Sequence, residues 1–480
     1  VVLTYQIKVP DSPKTKTRET GNWLGVDLSN DDSEITKSRL SSAINVWRYY
    51  GAQGSSSIDT IPGFRRVLEI PTGAETYGIW FFEYITQPEE GEEEDFVYEN
   101  VVKPLIHAGT RLYLWSDYPD GDTLTVLLGD DTQMMAEQKS TGFSFDNKFY
   151  ILDGENYLVY DGSTVTNVAA DAFIPTTKIG MAPDGGGTTN QQRNLLQPAF
   201  KNTFVADGSA TAYYLSETEL DDTVVTATIY DSEKVENTDF TVNRETGVVT
   251  FTSAPATPES SGYDSGYAGV EITAYRTVEG DAGKILNCTL STVYDNRAWF
   301  SGNAQYPNIA YWSMLNDPTY IGQITYTQDG NDNAPIYGFV RVGEYLGIIR
   351  SENAADATVY IHYPKETSED ANPKTYPSSQ NVSKVGCAAK GACINFRDDP
   401  VFISSLGLEG IGKLNVGLER SIEHRSTRID RSFVNETGLE NVVLETWYGY
   451  LLCMVNGNLY VADSRYITEN NQTGLNEYEW

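Results

Sequence analysis

The stretch DNKFYILDGENYLVYDG, residues 146–162, decides the fold. Two turn-forming residues, Asp146 and Asn147, precede the run Lys148, Phe149, Tyr150, Ile151, Leu152. A second polar turn, from Asp153 to Asn156, precedes a second apolar run that ends at Tyr160. Short apolar and aromatic runs punctuated by Asn, Asp and Gly read as antiparallel strands joined by tight hairpins. The phrase returns with variation as HAGTRLYLWSD (107–117), YDNRAWFSGN (294–303) and GEYLGIIRSE (343–352). It returns again as DDPVFISSLGLEGI (398–411) and YGYLLCMVNGNLYVADS (448–464). A unit this small cannot bury its own apolar face, so neighbouring units must pack on one another. The phrases predict an all-β chain organised as a β-propeller of about six blades.

The chain has 480 residues, too many for one ordinary core. Residues 61–190 and 285–480 supply the propeller phrases, and 200–276 reads as an inserted small β-sandwich. Within that insert, strands run from Phe204 to Tyr275, with turns at Asp207-Gly208 and Thr246-Gly247. The Gly-rich stretch MAPDGGGTTN (181–190) reads as the hinge that leads into it. Residues 1–60 read as an extended N-terminal arm, with Leu40, Ile44 and Trp47 at helical spacing inside 38–50. Residues 88–95 read as a solvated acidic loop. The chain opens on Val1-Val2 and closes soon after a strand-like run at 459–463, so a segment of a longer polypeptide is expected.

The formal charge is -33, with a pI near 4.4. Such a surface repels nucleic acid and disfavours a DNA-binding role. It suits a wall past which DNA slides without counterion-releasing contacts, and it also keeps a large subunit soluble. Tyr contributes 32 residues, and Tyr is an economical contact residue with few rotors. No stretch approaches the roughly 20 apolar residues of a membrane-spanning helix.

Catalytic signals are sparse. His107, His362 and His424 lie in no metalloprotease pattern, and no nucleophile elbow is present. Gly185-Gly186-Gly187 lacks the Lys-Ser/Thr of a phosphate loop. Cys288, Cys387, Cys393 and Cys453 fit neither a disulfide framework nor a zinc site, and read as buried small residues. The run from Asp329 to Asn333 alternates oxygen ligands but lacks the closing Glu of a calcium loop, so it reads as a polar turn. Asp146, Asp153 and Asp161 are carboxylates a glycosidase could use, singled out by number alone. The reading is therefore of a non-enzyme without cofactor or metal. The charged run GLERSIEHRSTRIDR (417–431) reads as a solvated or subunit-contact strand, with Arg420, Arg425, Arg428 and Arg431 as candidate interface residues.

Two longer passages carry a family resemblance. GNWLGVDLSNDDSEITKSRLSSAINVWRYYG (21–51), followed by IPGFRRV (61–67), is one. The other is DNRAWFSGNAQYPNIAYWSMLNDPTYIG (295–322), with Asn296, Arg297, Ser301, Gly302, Asn303, Pro307, Asn308, Tyr311, Trp312 and Ser313 at the matching positions. Together they resemble the tail hub or nozzle proteins of short-tailed bacteriophages, also known as tail tubular protein B or phage stabilisation proteins. The resemblance implies a propeller subunit of a closed ring, commonly a hexamer, below the portal and adaptor proteins. Such a ring guides or retains genomic DNA without specific binding and anchors tail fibres, a spike or a needle. It implies a virion protein assembled in the host cytoplasm, and no catalytic residues. The insert resembles small sandwich domains of phage tail proteins and departs from the plainest family members. Two other classes stay open from the residues: a receptor-binding tail tip or fibre protein, and a secreted carbohydrate-binding or carbohydrate-cleaving propeller.

Overall fold

The structure, a computed structural model, describes residues 23–50, 56–61, 63–85, 100–129, 133–365, 374–382, 385–413, 420–469 and 476–480. The acidic loop at 88–95, Pro62 and the first 22 residues of the expected arm lie outside the described residues.

Two-residue turns set the pattern. Asp146-Asn147 and Asp295-Asn296 hold positive φ angles of 46°, 55°, 51° and 52°. This is the left-handed pair a tight hairpin requires, and Asn and Asp tolerate it best. These turns fold Thr141–Phe145 onto Lys148–Leu152 and Leu290–Tyr294 onto Arg297–Ser301. Tyr448-Gly449 does the same between Val443–Trp447 and Tyr450–Val455.

Among the described residues, six sheets have four strands each, in simple chain order. The first comprises Thr76–Ile85, Asn100–Ala108, Arg111–Trp115 and Leu124–Leu128. The second comprises Thr141–Phe145, Lys148–Leu152, Tyr157–Tyr160 and Val165–Asn167. The third comprises Leu290–Tyr294, Arg297–Ser301, Ile309–Trp312 and Tyr326–Gln328. The fourth comprises Ile336–Val342, Tyr345–Arg350, Val359–His362 and Ser378–Val382. The fifth comprises Cys393–Phe396, Asp399–Ser404, Gly407–Lys413 and Arg420–His424. The sixth comprises Val443–Trp447, Tyr450–Val455, Asn458–Glu469 and Asn476–Glu479. Each hairpin phrase of the sequence lies in a different one of these sheets.

The chain divides into two compact units, the larger of residues 66–404 and 411–422, the smaller of residues 1–65, 405–410 and 423–480. In the larger unit, strand alternation explains why sheets pack in succession. Along Lys148–Leu152, Phe149 and Ile151 point one way, into a cluster with Phe82, Leu105 and Leu112 of the first sheet. Tyr150 and Leu152 point the other way, into a cluster with Ala298, Phe300 and Tyr311 of the third. In Arg297–Ser301, Trp299 turns from that cluster to meet Ile336, Leu346 and Ile348 of the fourth. A strand buried on both faces carries consecutive apolar residues, as Phe149 to Leu152 and Ala298 to Phe300 do. Each fully buried Phe or Ile contributes about 1.5–3 kcal/mol. The Asn395 side chain, on the fifth sheet, accepts from the Arg341 backbone N–H and donates to its carbonyl, both at 2.7 Å, tying on the fourth.

The insert lies between the second and third of these sheets. Its larger sheet has six strands, in the order Thr188–Thr189, Thr176–Met181, Ala199–Phe204, Val270–Tyr275, Thr226–Ile229, Ser232–Lys234. A three-stranded sheet of Ala212–Tyr214, Val248–Phe251 and Phe240–Asn243 completes it. Phe200, Phe204, Tyr213, Phe240, Val249 and Ile272 fill its core. Its strands begin at Thr176, ahead of the boundary near residue 200 read from sequence. The Gly-rich stretch is not a bare hinge: Lys178 and Ile179 pair antiparallel with Thr189 and Thr188 around it. Gly185 and Gly186, at φ 114° and 82°, make that return possible.

The helical patch expected at 38–50 is also corrected. Arg39–Leu40 pairs in parallel with Gly25–Val26, and Val46–Tyr50 pairs antiparallel with Ser56–Thr60. Ile44, central to the helical spacing, is 80% exposed. The aromatic and β-branched run after Asn45 favours a strand, and Asn45 itself turns at φ 58°.

Candidate functional site, an ion-pair network in the smaller unit

The charged run, read from sequence as a solvated or subunit-contact strand, builds a partly buried ion-pair network within the smaller unit. Gly407–Lys413 lies beside Arg420–His424, which puts Glu409 next to His424. The one-turn helix Asp430–Phe433 brings Asp430 to the other side of the ring. His424 Nδ1 lies 2.9 Å from Glu409 Oε1, and Nε2 lies 2.7 Å from Asp430 Oδ2. Ser426 Oγ donates to Asp430 Oδ1 at 2.7 Å and accepts from the Leu408 N–H at 2.8 Å. Gly407 permits this closeness: a Cβ there would sit 2.3 Å from Ser426 Oγ, and its φ of 134° suits no other residue well.

Burial opposes the charged imidazole, but the hydrogen bonds and charges of Asp430 and Glu409 outweigh it and push His424 up to about 10. It is therefore an imidazolium at neutral pH, with both N–H groups donating. Serine, histidine and carboxylate stand together here, yet not as a hydrolytic relay. Ser426 Oγ is 3.4 Å from His424 Nε2, but Asp430 is nearer to both. A cationic ring cannot take the serine proton, and Ser426 is fully buried.

The neighbouring arginines stitch the N-terminal segment to the C-terminal strand of the same unit. Arg428 Nη1 meets the buried Asp27 at 2.9 Å, and its Nε lies 3.6 Å from Glu477. Arg39 makes a two-pronged pair with Glu479, both buried. The Val26 N–H donates to the Trp480 carbonyl at 2.8 Å, and a Cβ on Gly25 would fall 2.3 Å from that oxygen. Arg425 is buried and pairs with Glu423 at 2.8 Å. So Arg425 and Arg428 make their ion pairs inside the unit. Arg431 is 65% exposed, with Asp31 at 3.5 Å, and the Arg420 side chain lies outside the described residues. Beside the network is a cleft of about 700 Å³, with Trp23, Trp47, Phe64, Tyr450, Tyr460 and Trp480 among its lining residues. Trp47 stacks on Trp447 and Tyr450 at 5.9 and 5.3 Å.

The remaining sequence candidates lie in the larger unit and hold turns. Asp153, fully buried, accepts from the backbone N–H groups of Ala136, Glu155 and Asn156 at 2.9, 3.0 and 2.7 Å. Asp161 caps its turn through Ser163 and Thr164; burial works against its charge, but their hydrogen bonds bring it down to about 2. Asp146 is an exposed turn residue. Asp329 is buried, 3.1 Å from His362 Nε2, while His362 Nδ1 donates to the Tyr376 carbonyl at 2.8 Å. Burial again opposes the charge on His362, and Asp329 outweighs it, raising the imidazole above its ordinary value. His107 is buried and held below its ordinary value by that burial, with Nδ1 2.7 Å from Ser140 Oγ and Nε2 3.0 Å from the Gly109 carbonyl. Cys387 and Cys393, both in the larger unit, lie with sulfurs 3.7 Å apart as free thiols. Among the described residues, no group of three or more His, Cys, Asp or Glu is arranged to hold a metal ion, and no helix is long and apolar enough to cross a membrane.

Sequence reading found His424 and the arginines but missed Asp27, Arg39, Glu409, Asp430, Glu477 and Glu479. Only the close spacing of His424 and Asp430 was available as a local signal. The other partners are brought in by long-range pairing.

No protein-family model and no curated protein matches the chain. Matching solved structures include the extracellular domain of a candidate one-component system from B. thetaiotaomicron, at 11% identity, over 83% of this chain and 39% of that one, with a TM-score of 0.27. They also include PorZ, a bacterial surface component of the type-IX secretion system of Porphyromonas gingivalis, at 10% identity, over 78% of this chain and 36% of that one, with a TM-score of 0.25. The chain thus spans under half the length of either. What stands from the structure itself is a nearly all-β chain of many small sheets.

Proposed function

We propose that this chain is a structural protein of a bacteriophage tail, a six-bladed propeller subunit of a closed ring. In that ring, DNA is channelled or retained, and distal tail parts are anchored. The observation that carries the reading is the series of six four-stranded sheets in chain order, with cores shared between successive sheets of the larger unit. Propeller blades are four-stranded and stack on their neighbours in this way. The pairing of the N-terminal segment with the C-terminal strand through Val26, Trp480, Arg39 and Glu479 joins the two ends of the smaller unit. The phrases at 21–51 and 295–322 resemble those of tail hub and nozzle proteins, which supports the same reading. The role is mechanical rather than catalytic: the histidines and the singled-out carboxylates hold strands and turns. The charge of -33 suits a conduit that does not grip DNA. Of the four arginines read as interface residues, Arg431 is the one with an exposed guanidinium among the described side chains. The test is native mass spectrometry of the purified protein alongside antibody labelling of virions. A cyclic oligomer, with label at the tail below the head, is expected. A monomer with no virion label overturns the reading.

A further inference from the structure

The insert carries the sequence SGYDSGY at 261–267, in which Ser-Gly-Tyr occurs twice. The two glycines take nearly the same left-handed angle, φ 86° at Gly262 and 85° at Gly266. The repeated turn gives the two tyrosines one orientation: the rings of Tyr263 and Tyr267 lie 4.5 Å apart at 6°. Tyr230 adds a third ring, 5.0 Å and 17° from Tyr263 and 6.4 Å and 19° from Tyr267. Those separations place the three centroids near a right angle at Tyr263. The rings therefore form a staggered slab rather than one column, and part of a ring face stays uncovered. Tyr267 is 43% exposed.

Tyr230 reaches the slab from an unfavourable backbone position. With Asp231 it forms the two-residue turn between Thr226–Ile229 and Ser232–Lys234, at φ 46° and 64°. Asn, Asp or Gly suit the first position of such a turn, and a bulky aromatic there is uncommon, shared in this chain with Tyr448 at φ 45°. Strain of this kind concentrates at ligand sites. The surroundings hold it in place. The Tyr230 hydroxyl donates to the Ala256 carbonyl at 2.8 Å and its N–H to the Gly269 carbonyl at 2.7 Å. Its ring covers Gly269 so closely that a Cβ there would lie 2.1 Å from it. Exposed carboxylates lie on the same segments: Asp231 interacts with the Tyr263 hydroxyl, Asp264 follows Tyr263 directly in the chain, and Glu259 interacts with Ser265.

We propose that this slab is a carbohydrate-binding site, in which a sugar ring lies flat on the tyrosine face and donates hydroxyl hydrogen bonds to Asp231 and Asp264. Ionised carboxylates accept but do not donate, which suits a hydroxyl-rich ligand. A cationic ligand would also be drawn to acid and aromatic groups, but a cation cage sets its rings as facing walls. Here the three rings stack within 19° of one another and enclose no space, so a flat, C–H-lined ring meets the exposed part of Tyr267. The site stands on the insert's own geometry and does not depend on the tail reading.

The test is affinity electrophoresis of the full chain through gels containing dextran, mannan, xylan, hydroxyethyl cellulose or bacterial O-polysaccharide. Retardation by at least one polysaccharide is expected. Tyr267→Ala and the double variant Tyr263→Ala/Tyr267→Ala should weaken it by about two- to tenfold, as loss of a stacked aromatic contact does. Tyr214→Ala, an exposed tyrosine of the same insert outside the slab, should leave it unchanged. Thermal unfolding of Tyr267→Ala checks that the insert stays folded. Absence of retardation in every gel overturns the proposal, as does retardation unchanged in both tyrosine variants. Displacement by tetramethylammonium at concentrations where free sugar has no effect assigns the slab to cations and also overturns it.

Discussion

Replacing His424 with Gln should remove a pH-dependent share of the smaller unit's stability. The imidazole is pushed up to about 10 from an ordinary 6.5, a rise of about 3.5 units. At about 1.4 kcal/mol per unit, the ceiling on its contribution is about 5 kcal/mol. The ring keeps 25% of its surface in solvent, and the pair carries a desolvation cost, so a net of about 2–4 kcal/mol is expected. A folded value above the unfolded one means that the contribution is complete below pH 6.5. It declines as pH rises and is gone above about 10. The Gln variant removes the cation between Glu409, 3% exposed, and Asp430, so it should be less stable at pH 7. Urea unfolding followed by tryptophan fluorescence, repeated from pH 6 to pH 10, reads both effects. The wild type should lose about 2–4 kcal/mol across that range, while the variant starts lower and stays flatter. Parallel pH profiles in the two proteins would refute the clamp.

Arg39→Met should destabilise the smaller unit by about 3–5 kcal/mol, because it leaves the buried Glu479 without its two-pronged partner; early proteolytic cleavage within 423–480, with the larger unit's transition retained, checks this. Leu195→Ala should cost about 2–5 kcal/mol in the shared core of the second and third sheets, since Leu195 packs with Tyr157, Ile285 and Phe300, and calorimetry reads it. For the same reason, excision of the insert from Gly186 to Arg276, which removes Leu195 and Leu196, should fail to leave a folded remainder. Asp153→Ala should cost about 2–3 kcal/mol through the backbone N–H groups it leaves unsatisfied, measured by thermal unfolding.

The strand order was legible because it is written locally. A turn such as Asp146-Asn147 or Asp295-Asn296 announces a hairpin by residue type, and runs such as Phe149 to Leu152 and Ala298 to Phe300 announce strands buried on both faces. Where pattern and propensity disagreed, the sequence misled. Leu40, Ile44 and Trp47 keep helical spacing, yet that spacing was fortuitous: Trp47 is placed by stacking on Trp447 and Tyr450. Gly185 to Gly187 look like a linker because glycine serves flexible chains and tight returns equally. Leu195 and Leu196 belong to a core that no local pattern reveals. The ion-pair network was hidden for the same reason. Arg428 meets Asp27 across 401 positions and Arg39 meets Glu479 across 440, distances over which a charged run says nothing about its partners.

Cryo-electron microscopy of the purified full chain tests the central claim most directly, because one map shows both the arrangement of sheets within a subunit and the symmetry between subunits. The account predicts six four-stranded sheets set radially about an axis in each subunit, with the subunits joined in a closed ring around an acidic channel. A trimeric fibre, an isolated monomer, or sheets stacked as two layers would contradict it.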